Sequence, residues 1–61
     1  MKRSVKLIGK NYDVLLEEGK KVITIKNYEK DGSRCPKTDR SWKTLEEVVE
    51  DYKYYGFVVE A

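Results

Sequence analysis

Histidine is absent from this chain, which removes the commonest general base and the usual partner of a serine or cysteine nucleophile. The single cysteine, Cys35, stands between Arg34 and Pro36 with Lys37 close by, a cationic setting that favours the thiolate. With no base and no second cysteine to resolve a disulfide, redox work is not expected of it. Glu46, Glu47, Glu50 and Asp51 form a carboxylate cluster able to hold a hard cation weakly, but a solvated helix face is the expected role. No Gly-rich phosphate loop, nucleophile elbow or metal-ligand spacing is present. The expectation is therefore a protein that is not an enzyme, needs no cofactor or metal, and acts by binding.

Two binding chemistries compete. The first is nucleic-acid binding, to DNA or RNA, with Lys6, Lys26, Lys30, Arg34, Lys37 and Arg40 on phosphates and Tyr28 as a stacking ring. The second is a protein-binding regulator or inhibitor. Its surface would be the acidic helix face of Glu47, Glu50 and Asp51 with Tyr54, or an apolar patch of Ile8, Leu15 and Val22. Tyrosine is common at binding hot spots, and Tyr54 falls among carboxylates on the face that should meet water. Geometry discriminates. If Lys6, Lys26, Lys30, Arg34 and Lys37 share one surface, nucleic acid leads. If Asp13 and Glu17 break that surface up, the protein reading gains.

Charge is distributed unevenly between the two parts of the chain. Residues 1–40 hold 11 Lys/Arg against 6 Asp/Glu, whereas residues 41–61 hold 2 against 5. That asymmetry bears on partners, not on fold. Sixty-one residues are expected to make one domain, 1–61, with a thin stability margin. One cysteine allows no disulfide framework, so stability must come from a packed core or from a homodimer. No apolar run spans a membrane, and no targeting segment is read, so a cytoplasmic location is expected.

The element that organises the chain is residues 41–57, SWKTLEEVVEDYKYYGF. Thr44-Leu45-Glu46-Glu47 fits a capping box, and Gly56-Phe57 fits a left-handed stop followed by an apolar residue. A helix over Leu45–Tyr55 is expected, with Leu45, Val48, Val49, Tyr52 and Tyr55 on its core stripe. Before it, Ser4–Ile8, Tyr12–Glu17 and Lys20/Lys21–Tyr28 alternate as strands. Tight turns at Gly9-Lys10 and Glu18-Gly19 place Leu15 opposite Val22 and Lys6 opposite Asp13. The shared inner face is Val5, Leu7, Tyr12, Val14, Leu16, Ile23 and Ile25, the seat for the helix.

Glu29–Arg40 reads as a long basic loop, with Lys30-Asp31-Gly32-Ser33 as a turn and Arg40-Ser41-Trp42 as a short returning strand that closes the core with Trp42. Phe57-Val58-Val59 reads as a terminal strand, parallel to the first and third. The expected fold is α+β, a three-stranded antiparallel meander packed by one helix, in the order βββαβ. In outline, the run YEKDGSRC followed by RSWKTLEEVVEDY resembles the strand, turn, strand and helix of arm-type DNA-binding domains of phage integrases. Val48 and Val49 replace the small residues usual early in that helix, and no family is assigned on it.

Overall fold

A computed structural model describes residues 3–60. It shows an α+β architecture, a five-stranded antiparallel sheet with one helix on one face. The strands are β1 (Ser4–Ile8), β2 (Tyr12–Glu18), β3 (Ile23–Glu29), β4 (Arg34–Ser41) and β5 (Val58–Val59), and the helix is α1 (Leu45–Tyr54). Their order across the sheet is β4-β3-β2-β1-β5. No helix among the described residues is long and apolar enough to cross a membrane.

The order is ββββαβ rather than βββαβ, because most of the expected basic loop is β4. Lys30-Asp31-Gly32-Ser33 is the hairpin turn that creates it. The Gly32 N–H donates to the Glu29 carbonyl at 3.0 Å, the Ser33 N–H donates to Asp31 Oδ1 at 2.8 Å, and Gly32 takes φ +94°. A left-handed glycine after such a turn is a standard hairpin closure. β4 escapes an alternation test because it is a sheet edge, mostly exposed and polar, where Pro36 costs no central ladder bond.

The extra strand also reverses the chain direction before α1. β5 consequently runs antiparallel to β1, through Leu7↔Val59 and Ile8↔Val58, instead of parallel to the first and third strands.

Both early hairpins are wider than the expected tight turns. Ile8 pairs with Asp13 and Glu18 pairs with Ile23, so Lys6 faces Leu15, and Leu15 faces Lys26 rather than Val22. Each register differs from the expected one by an even number of residues. The side-chain period of a strand is two, so the inner face survives. Leu7, Val14, Leu16, Ile23 and Ile25 are buried there against Leu45 and Val48, with Val5, Val49, Tyr52 and Phe57 packed around them. Tyr12 sits on that face at its rim, with its ring edge-on to Phe57 at 5.3 Å.

Capping follows the sequence. The Glu47 N–H donates to Thr44 Oγ1 at 3.2 Å. At the far end Gly56 takes φ +97°, its N–H donates to the Lys53 carbonyl, and the Phe57 N–H donates to the Tyr52 carbonyl at 3.1 Å. This is the Schellman arrangement, completed by apolar contact between Phe57 and Tyr52, whose rings lie 5.1 Å apart.

The aromatic prediction is corrected at two positions. Trp42 is 80% exposed and closes no core, and Tyr55 is 75% exposed instead of lying on the core stripe. Tyr55 is the C-cap, where the chain leaves the helix before its stripe returns to the sheet.

Phe57 swings back over the first turn, and Gly9 makes room for it. A Cβ on Gly9 would collide with the Phe57 ring and the Tyr12 carbonyl. Replacing Gly9 with alanine is expected to cost about 1–3 kcal/mol through overpacking, measured by urea unfolding. A Gly32→Ala control meets no neighbouring atom and carries only the left-handed backbone penalty.

Candidate nucleic-acid interface

The helix covers one face of the sheet, and pairing across the ladders defines the other. Three rows run across the uncovered face, as residues paired in antiparallel strands point the same way. The first is Val58, Ile8, Asp13, Tyr28 and Arg34. The second is Lys6, Leu15, Lys26 and Thr38, and the third is Ser4, Glu17, Thr24 and Arg40. The turn sends Lys30 back beneath the sheet, where its Nζ reaches Asp13 Oδ1 at 2.6 Å.

Lys6, Lys26, Tyr28, Lys30, Arg34 and Arg40 thus come together on one surface. Lys37 lies in the irregular stretch of β4, between the Lys26↔Thr38 and Tyr28↔Arg34 pairs, and is exposed at the sheet edge. Sequence reasoning missed Thr38, whose Oγ1 accepts from Arg34 Nη2 at 3.0 Å and holds the guanidinium along the strand. Reading the Lys30–Ser33 turn as a hairpin would have found it, because the turn fixes the register of everything after it.

The carboxylates divide this surface. Glu17 pairs with Lys26 at 2.6 Å, Asp13 with Lys30 at 2.6 Å, and Glu60 with Lys6 at 3.8 Å. Charge on the β1–β2 side is therefore largely matched, and to that extent the protein-binding reading gains. On β4, Arg34 and Arg40 pair with no carboxylate among the described residues. On this face, the cations without a carboxylate partner therefore lie along β4. Exposed ion pairs are weak, about 0–1 kcal/mol, so phosphate can compete for their cations.

Residues of the protein-binding reading fall elsewhere. Ile8 and Leu15 lie half-buried on the open face, while Val22 sits in the β2–β3 loop, so the three form no patch. The wider hairpin is the physical reason. On α1, Asp51 pairs with Lys43 at 2.7 Å and Glu50 approaches Lys53 at 3.9 Å, while Glu47 serves the cap. Tyr54 is 86% exposed, and its ring lies edge-on to Tyr55 at 5.5 Å.

Several ion pairs shift the acidity of their members. Hydrogen bonding to Lys30 holds the Asp13 carboxyl below its ordinary value, and the Gly9 N–H adds to this. Hydrogen bonds from Arg3 lower Glu18 and Glu46 in the same direction, joining β2 to α1. A carboxyl depressed in the folded state stabilises above its unfolded pKa, and that contribution disappears as pH falls through the folded pKa. The melting temperature is therefore expected to fall below about pH 4. Arg3→Gln should flatten that fall, as a thermal melt followed by circular dichroism across pH would show.

Comparison with protein-family models, curated proteins and solved structures gives no match for this chain.

Proposed function

We propose that the protein is a non-enzymatic nucleic-acid-binding module that uses the uncovered face of its sheet, chiefly along β3 and β4. One observation carries this reading. The β3–β4 register sets Arg34 beside Tyr28, Thr38 beside Lys26 and Arg40 beside Thr24 on a face that no helix covers. A cation in each of the three rows, with hydroxyls and one aromatic ring among them, suits a phosphate backbone whose bases lie against the sheet.

Fluorescence anisotropy with a short labelled oligonucleotide, single-stranded and as duplex, tests it at two salt concentrations. Saturable binding that weakens steeply with salt is expected. Absence of binding at low salt would contradict the reading.

Exposed Tyr54 at the end of α1 and Tyr55 at its C-cap, together with the matched charges of Lys26 and Lys30, favour a second reading, a protein partner at the helix. It gains if oligonucleotides fail to bind and a retained partner is lost on replacing both tyrosines with serine.

A further inference from the structure

On the uncovered face lies a shallow depression of about 320 Å³, lined by Lys6, Asp13, Leu15, Tyr28, Glu29 and Lys30. Leu15 and Tyr28 are diagonal neighbours on β2 and β3, and they give it an apolar floor. Its rim carries both acceptors and donors. Asp13 Oδ1 already receives Lys30 Nζ at 2.6 Å and the Gly9 N–H at 3.4 Å. Asp13 Oδ2 accepts no hydrogen bond among the described residues, and a carboxylate oxygen has two lone pairs to offer. Lys6 and Lys30 supply ammonium donors beside it.

An apolar floor under a rim of mixed donors and acceptors complements a planar heteroaromatic ring. A paired base cannot present its flat side to such a floor, because its neighbours in the stack cover it. We propose that this depression is a subsite for one unstacked nucleobase of a single-stranded nucleic acid. The base lies over Leu15 against the Tyr28 ring, Asp13 Oδ2 accepts from its N–H groups, and Lys6 donates to a ring carbonyl. Guanine fits best, since N1–H and N2–H donors stand beside the O6 acceptor on one edge. The proposal rests on the nucleic-acid reading of the same face and names its ligand as single-stranded.

The test compares short labelled oligonucleotides of equal phosphate count by anisotropy: one of mixed sequence, one abasic throughout, and abasic strands restored with a single guanine or thymine. The abasic strand is expected to bind about fivefold or more weakly than the mixed one. Guanine should recover more of that loss than thymine. Tyr28→Leu, checked for its native amide spectrum, should erase the difference between mixed and abasic strands. Equal binding of mixed and abasic strands by the unmodified protein overturns the subsite. If that equal binding still depends on Arg34 and Arg40, the nucleic-acid reading of the face survives. If no strand binds, both fall together.

Discussion

Leu16→Ala is expected to destabilise the protein by about 2–5 kcal/mol, whereas Leu15→Ala, one residue earlier, should cost far less. Leu16 is fully buried at the middle of β2, between Val5 of β1 and Ile25 of β3. Its loss leaves a cavity that three hydrogen-bonded strands cannot collapse to fill. Leu15 points to the uncovered face, where solvent replaces what the substitution removes. A domain of this size has a total stability of roughly 3–9 kcal/mol, so Leu16→Ala approaches the unfolding threshold. Urea titration followed by far-ultraviolet circular dichroism measures both. Trp42 is a poor reporter because it is largely exposed in the folded state. Equal losses at the two positions would mean that β2 does not present these faces.

The second large effect concerns binding. Arg34→Ala with Arg40→Ala is expected to lower affinity for a short oligonucleotide about tenfold or more at low salt. Each phosphate contact removed should also reduce the slope of log affinity against log salt by about one. These two residues are chosen because neither pairs with a carboxylate among the described residues and both are exposed, so folding should tolerate their loss. Lys10→Ala, in the turn between β1 and β2 and outside the three rows, is the control. An unchanged slope in the double variant would remove β4 from the interface.

Much of the inner architecture was legible in the sequence. Alternation in Val5–Leu7, Tyr12–Leu16 and Ile23–Ile25 marks the buried face whichever even register the hairpins adopt. Thr44, Gly56 and Phe57 mark both ends of the helix through local backbone chemistry. What escaped was the edge. Arg34–Ser41 satisfies only one neighbour and buries little, so no apolar period was needed to hold it. That strand decides the site. Read as a loop, Arg34, Lys37 and Arg40 were a diffuse basic segment; paired with β3, Arg34 and Arg40 become members of a defined surface. The ion pairs of Lys26 and Lys30 were equally hidden, since they depend on cross-strand register and on the path of a turn.

An amide-resolved NMR titration with a short single-stranded oligonucleotide at two salt concentrations tests the central claim most directly. The expected result is movement of the Thr24, Lys26, Tyr28, Arg34, Thr38 and Arg40 resonances that fades as salt rises, with the amides of α1 unmoved. Silence along β3 and β4 at low salt, or shifts confined to the helix around Tyr54 and Tyr55, would contradict it.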